Sequence, residues 1–463
     1  MTNQGTGKPK TVRIASGQGF WGDWQEAPKL QVRHGPIDYL MLDYLAEITM
    51  SILQKQKDKN PDAGYARDFV PLMLDLAPDL LAGGVRVISN AGGVNPEACR
   101  QALTEGLAGL DLPRPLRIAI VRGDDLMERL DELLADGHEL RNMETGEPLA
   151  GVRGQMVSAN AYVGAAPIIE ALRQDADIVV TGRSTDTALT YAPLAFEFGW
   201  PEDDWDRLAA GVVAGHINEC GCQAAGGNSL FDWRSIDLVT PGYPIIEASE
   251  DGSFIVTKHP DLGGRVSWAS VTEQLVYEMG DPEEYITPDC VADFSTIQLE
   301  EDGLDRVRVF GVRGRQRTDQ LKVSMAYRDG YKAVGSLTYA WPDALDKARR
   351  ADEILRARLD RLGLSFEEIR TEFVGAGACV GRPPAGDPAE LPEVEMRVGV
   401  RGPNRGAVDR FTRELAPLIL AGPPSVTGFA GGRPRVQEVM AYWPALIDRA
   451  AVEDHLEVEV SEA

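Results

Sequence analysis

Short apolar, β-branched runs recur through the first part of the chain, each closed by polar residues and followed by helical apolar spacing. Val12–Ala15 runs into Ser16-Gly17-Gln18-Gly19-Phe20-Trp21-Gly22-Asp23, and Tyr39–Leu42 into Asp43 and then Glu47. Val85–Ser89 runs into Asn90-Ala91-Gly92-Gly93, and Leu116–Val121 into Arg122-Gly123-Asp124-Asp125. Ile178–Thr181 ends at Gly182 and hands over through Arg183, Ser184, Thr185 and Asp186 to an apolar helix from Ala188. Val212 and Val213 read as a further buried strand, leading through Gly215 into His216-Ile217-Asn218-Glu219-Cys220-Gly221. Between the runs, Leu45, Ile48, Met50 and Leu53, and then Ala98, Ala102, Leu103 and Leu107, carry helical spacing. Alternation of this kind predicts an α/β domain with a mostly parallel sheet covered on both faces, over residues 10–284.

After Pro282 the texture changes to period two, in Val291–Leu299, Asp305–Gly311, Gln320–Tyr327 and Lys332–Tyr339. The last two are expected to form a hairpin around Arg328-Asp329-Gly330. A charged helix over Pro342–Leu362, a strand at Glu393–Val400, a helix at Ala407–Ala421 and a strand at Arg435–Trp443 complete the pattern. Residues 285–463 are therefore expected to make a smaller α+β domain with antiparallel strands, completing the site or mediating oligomerisation. The Pro/Gly-rich Gly381–Asp387 reads as a loop.

With 463 residues, 43% of them hydrophobic and 26% charged, the chain has the composition of a globular protein with a large core. Its net charge of −25 argues against a nucleic-acid partner or an anionic membrane face, which need a concentrated basic surface. Five cysteines are too few and odd in number for a disulfide framework, which fits a reducing cytoplasm. No apolar run approaches the roughly eighteen residues of a membrane span. The expected partner is a small molecule, with self-association suggested by glycine-rich loops and edge strands.

Several long stretches together resemble the acyclic terpene utilisation (AtuA) family. GQGFWGD (Gly17–Asp23), DYLAEITMS (Asp43–Ser51), YARDFVP (Tyr65–Pro71) and VISNAGGVNP (Val87–Pro96) are similar to its opening. TGRSTDTAL (Thr181–Leu189), GHINECGCQAAGGN (Gly215–Asn228), the stretch Thr257–Pro282 and ADFSTIQL (Ala292–Leu299) continue the likeness. GPPSVTGFAGGRP (Gly422–Pro434) and YWPALI (Tyr442–Ile447) resemble a second region found behind the first. The resemblance implies bacterial catabolism of acyclic terpenoids and branched acids degraded as CoA thioesters, alongside carboxylase, hydratase and dehydrogenase partners. It supplies no catalytic residue set position by position, so the candidate site rests on chemistry.

His216 and Glu219, three residues apart, suit a general acid–base pair. Asp186 can orient Arg183 or act as a base, and Arg183 can hold a carboxylate or phosphate bidentately. Asp43 assists from the next strand end, while Asn90 offers an amide to a carbonyl oxygen beside the Gly92-Gly93 turn. Trp21 suits an apolar pocket wall. Lys258 and Arg433, on glycine-rich loops (the second being Gly428–Arg433), suit the phosphates of CoA. GxGxxG at Gly17–Gly22 is a poor dinucleotide fingerprint, because aromatics sit where close helix packing is needed. No organic cofactor is required, and a divalent metal on acidic strand ends is compatible with the residues. These residues point to a hydratase or carbon–carbon lyase acting on a branched acyl-CoA or related carboxylate. Two alternatives stay open: a thioester or lactone hydrolase using Cys220 or metal-bound water, and a non-catalytic partner of a carboxylase or hydratase.

Overall fold

The structure is a computed structural model that describes residues 10–382, 386–427 and 432–463. Its described residues form two compact units, one reaching Ala326 and resuming at Tyr442–Ala463, the other Tyr327–Ala441.

The first unit is built on a ten-stranded mixed sheet. Its centre is parallel: β1 (Thr11–Gln18), β2 (Tyr39–Leu42), β3 (Arg86–Ser89), β4 (Arg117–Arg122) and β6 (Ile178–Thr181) lie in the order β1-β2-β3-β6-β4. β5 (Met156–Ala161) lies outside this sheet. Antiparallel strands flank the centre, with β7 (Ile245–Ser249), β8 (Phe254–Thr257), Val307–Phe310 and Gln298–Glu301 beyond β1, and Glu457–Glu462 beside β4.

Alternate residues of the central strands feed two cores, as the pleat requires. Leu40, Leu42, Val87, Ile118 and Val180 pack with α2 (Glu47–Lys59, after α1 at Ala27–Arg33), α3 (Phe69–Gly83) and α4 (Pro96–Leu107). Tyr39, Met41, Ile88, Ala119 and Val179 pack on the other face with α6 (Ala166–Arg173, after α5 at Leu130–Ala135), α7 (Ala188–Phe198) and α8 (Trp205–Glu219). The chain leaves β3 toward α4 on one face and leaves its neighbour β6 toward α7 on the other. Adjacent strand ends whose chains depart to opposite faces leave a crevice at their carboxyl ends, the usual ligand position in such sheets.

Val212 and Val213, expected as a strand, belong to the buried helix α8, so His216 lies in a last helical turn and not behind a strand. The Asp204 side chain accepts the Arg207 N–H to cap that helix. Gly211 and Gly215 let α8 close on α7, where a Cβ on Gly215 would stand 2.5 Å from the Thr187 carbonyl oxygen. A short buried apolar run has no periodicity to separate helix from strand.

The expected hairpin at Arg328-Asp329-Gly330 is instead one continuous strand, Gln320–Ala340. Gly330 takes φ +79° within it, where the Gly402 carbonyl passes too close for a side chain. Val291–Leu299 is broken by a 3-10 turn at Phe294–Thr296, and Ala407–Ala421 is two short helices, Arg405–Thr412 and Leu418–Ala421. The compact units also divide elsewhere than at 284/285. Residues 285–326 and 442–463 lie in the first, because Gln298–Glu301, Val307–Phe310 and Glu457–Glu462 extend its sheet.

In the second unit, Glu393–Gly402 pairs antiparallel with Glu368–Val374 on one side and Tyr331–Ala340 on the other. The helix Ala344–Arg361 lays Leu345, Ala348, Leu355 and Leu359 over Val394, Met396, Val398 and Val400. Of the loop at Gly381–Asp387, residues 383–385 fall outside the described residues, as do Gly428–Gly431. Among the described residues, no helix is long and apolar enough to cross a membrane.

Candidate functional site

The carboxyl ends of β2 and β3 are laced together by side chains. Asn90 donates its Nδ2 hydrogen to Asp43 Oδ1 (2.7 Å) and accepts the Tyr44 N–H at Oδ1 (2.7 Å). Asp43 Oδ1 also accepts the Leu45 N–H (3.0 Å). Asn90 is fully buried and Asp43 is 3% exposed. Burial, with the nearby charge of Asp186, pushes the Asp43 carboxyl well above the usual carboxylate range, against the opposing pull of Arg183.

Beside them, at the end of β6, the Arg183 side chain is buried among protein partners. Its Nη1 donates to Asp186 Oδ1 (2.7 Å) and to the Leu45 carbonyl (3.1 Å). Its guanidinium lies 4.2 Å from the centre of the Tyr162 ring, whose hydroxyl donates to Glu47 Oε1 (2.9 Å). Its backbone N–H donates to Asp124 Oδ2 (2.8 Å), which also takes an Asn160 Nδ2 hydrogen (2.9 Å). Gly182 has no side chain because the Asp124 carboxylate occupies that space. Burial pushes the Asp124 carboxyl up to about 7. The expectation that Arg183 holds an acidic substrate group is therefore corrected: its guanidinium is committed to Asp186, Leu45 and Tyr162.

His216 differs from its expected role in the same way. Its Nε2 faces the Gln274 carbonyl (3.0 Å) and its Nδ1 faces Glu219 Oε1 (3.0 Å), with the Tyr285 and Phe294 rings each centred 5.4 Å away. Both ring nitrogens are occupied, so the imidazole fixes Glu219. Burial alone would lower the imidazole, but the hydrogen bond and charge of Glu219 outweigh it and raise His216 above its ordinary value. Glu219 is raised in turn, first by burial and then by the charges of Asp186 and Glu278, against the pull of His216. Asp186 thus acts on both Asp43 and Glu219, which ties the end of α8 to the strand ends. The side chains of Asp186 and Glu219 are 31% and 12% exposed, so these two carboxyls reach solvent while Asn90 lies beneath.

The remaining candidates, Arg433 apart, have structural partners. Gly92 and Gly93 pack against the Thr181 carbonyl and Leu53, so their bareness serves packing. Trp21 donates its indole N–H to Asp68 (2.7 Å) and packs on the α2–α4 core. Lys258 is buried, donating to the Leu262 carbonyl (2.7 Å) and pairing with Asp305 (3.3 Å), which removes it as a phosphate ligand. Arg433 is exposed and belongs to the second unit. Burial pushes the Cys220 thiol up, with Glu219 adding to it, and burial pushes Cys222 up to about 11, so neither is an activated nucleophile. Among the described residues, no group of three or more His, Cys, Asp or Glu is placed to hold a metal ion.

Sequence reasoning passed over Asn160, Tyr162, Tyr285 and Glu278, and named Glu47 only as a polar residue behind a strand end. Asp124 stood in plain sight in a polar strand end, but its grip on the Arg183 backbone depends on β4 and β6 being neighbours.

A family model described as acyclic terpene utilisation family protein AtuA matches residues 12–458. No curated protein and no solved structure matches the chain.

Proposed function

The chain belongs to the acyclic terpene utilisation (AtuA) family, and from that premise we propose that it is a lyase of branched-acid catabolism, moving protons beside a thioester or carboxyl carbonyl. The observation that carries this reading is a pair of solvent-reaching carboxyls in opposite settings at one crevice. Asp186 is held against the buried Arg183 cation, while Glu219 is pushed toward its neutral form by burial and neighbouring charge. Two carboxyls in contrasting environments are the general arrangement for running a base and an acid together.

In dehydration, the Asp186 carboxylate takes the proton next to the carbonyl and the Glu219 carboxyl gives its proton to the departing hydroxyl, which leaves as water. Hydration is the reverse, and a carbon–carbon lyase would use the same two proton positions. His216 is a positioning residue that aims Glu219, and Asn90 with Asp43 braces the floor. The raised Cys220 thiol makes nucleophilic hydrolysis the weaker reading.

The test is incubation of the purified chain with a panel of branched acyl-CoAs, followed by mass spectrometry of the products. Gain or loss of one water by the native protein is expected, with Glu219→Gln and Asp186→Asn each lowering the rate by about 10²- to 10⁴-fold. Unchanged rates in both variants, or no reaction of any thioester with folded protein, would overturn it.

A further inference from the structure

The loop 229–240 and the neighbouring helix Trp268–Leu275, both in the first unit, turn large apolar side chains to solvent. Leu230 and Val239 are 86% and 85% exposed, and Phe231, Trp233, Trp268 and Val276 are each more than half exposed. Polar contacts pin the loop at both ends, so this outward display is fixed. Glu273 accepts the Ser229 hydroxyl (2.7 Å) and the Leu230 N–H (3.1 Å). The Asp237 and Thr240 carbonyls accept the Gly264 and Gly263 N–H groups (2.7 and 2.8 Å). Loop and helix share one face: Phe231 and Ala269 line a common cavity, and Leu230 sits on Glu273. Trp268, Thr272 and Val276 follow one another at single turns along the helix.

These six apolar side chains present roughly 700 Å² to water, taking about 150–250 Å² for a large side chain when fully exposed. That exceeds the usual largest patch of a monomer, about 300–600 Å², and approaches the roughly 800 Å² each partner buries in a stable dimer. The face also carries little of the chain's net charge of −25. Asp232 and Asp237 stand against Arg234 in the loop, and Glu273 and Glu301 against Arg265 at its edge. Both edge carboxylates are already engaged, Glu273 by the loop and Glu301 by the Trp268 N–H (2.7 Å). Acidic copies repel over most of their surface, so a nearly neutral face is where they can approach. Arg234 is stacked on Trp233, 4.1 Å from the ring centre, and these two residue types commonly anchor interfaces. A two-fold contact sets the patch against itself, so Arg234 of each copy can meet a loop carboxylate of the other. An anionic lipid surface finds no such complement, since the loop carries no lysine.

We propose that this face docks a second copy of the chain, loop against loop about a two-fold axis, with Leu230 and Trp233 as anchors. The inference does not depend on the proposed lyase chemistry, because its test reads mass alone.

The experiment is sedimentation equilibrium of the full chain over about 1–100 µM, since interfaces of this area hold at micromolar dissociation constants or tighter. The native chain is expected at twice its 50.4 kDa. Leu230→Asp combined with Trp233→Asp should raise the dissociation constant at least about a hundredfold, tenfold or more for each anchor, and leave a monomer. Both side chains are exposed, so circular dichroism should show the variant folded. Leu420→Asp, at a side chain 95% exposed in the second unit, should leave the dimer intact. A monomeric native chain, a dimeric double variant, or a dimer lost equally in Leu420→Asp would overturn the proposal. Flotation of a native monomer with phosphatidylcholine vesicles would give the face to lipid instead, and a monomer that does not float would leave it to a different protein.

Discussion

Replacing Asp124 by Asn should make the protein more stable at about pH 8 and flatten its stability profile from about pH 5 upward. Asp124 is 6% exposed, and its carboxyl rises from the ordinary 3.8 to about 7. A carboxyl raised by folding keeps its proton in the native state after the unfolded chain has released it. Stability therefore falls as pH climbs from the unfolded value through the native one. Three units correspond to about 4 kcal/mol, lost between about pH 4 and about pH 7. Asp289, half-buried and raised to about 6 by desolvation, acts in the same direction. So does His216, whose stabilising contact with Glu219 is complete below the unfolded imidazole value and fades as pH passes the raised native one. His259 opposes them on the acid side, since burial lowers it and the unfolded chain takes up its proton first. Asparagine keeps an acceptor for the Arg183 N–H without a charge to bury. Urea unfolding at about pH 5 and about pH 8 captures the roughly two units between pH 5 and the native value, about 3 kcal/mol, which should move the midpoint by about 1 M. The same pH slope in Asp124→Asn as in the native chain, or native stability rising across this interval, would refute the reasoning.

His216→Ala should cost about 1–3 kcal/mol, because it removes the hydrogen-bond partner of the mostly buried Glu219 carboxyl, and a lowered urea midpoint would show it. Gly215→Ala should destabilise the chain by at least 1–3 kcal/mol in thermal unfolding, since the added methyl meets Thr187 backbone and no flexible side chain can yield; native stability would contradict the α7–α8 approach. Cys220→Ser should leave turnover within about twofold, and the thiol should resist alkylation at neutral pH, both following from its raised value. A fast-alkylating Cys220 would reverse that assignment.

The strand ends were legible in the sequence because each is a short apolar run closed by polar residues. Asp43, Asn90, Arg183 and Asp186 were found on that signal, and the fold brings them together at adjacent strands. His216 was found for the wrong reason. The run Leu208–Gly215 is apolar on every side because α8 is buried on every side there, and such a helix loses the periodicity that betrays it. Roles were harder to read than places. Lys258 looks like a free cation until Asp305 is brought beside it, and Arg183 looks like an anion hook until Asp186, Leu45 and Tyr162 surround it. Residue type offers a chemistry; long-range neighbours decide whether any of it is left over.

That distinction determines which side chains the crevice can offer a substrate. A buried guanidinium is tolerable only when paired and hydrogen-bonded, and Arg183 gains an anion, a carbonyl and a ring face for that purpose. The same contacts place Asp186 at the rim with a cation behind it. An imidazole held at both nitrogens has no lone pair free to take a substrate proton, yet it keeps Glu219 in one orientation. In each pair the cationic or basic partner is the deeper one and the carboxyl is the one that reaches solvent: Arg183 is 1% exposed against 31% for Asp186, and His216 2% against 12% for Glu219. Arginine and histidine are thus the supports, and the carboxyls are the groups that can meet a substrate. The lyase chemistry proposed for this crevice therefore rests on the two carboxyls, which is why the Glu219→Gln and Asp186→Asn variants, and not His216 alone, decide whether the reading stands.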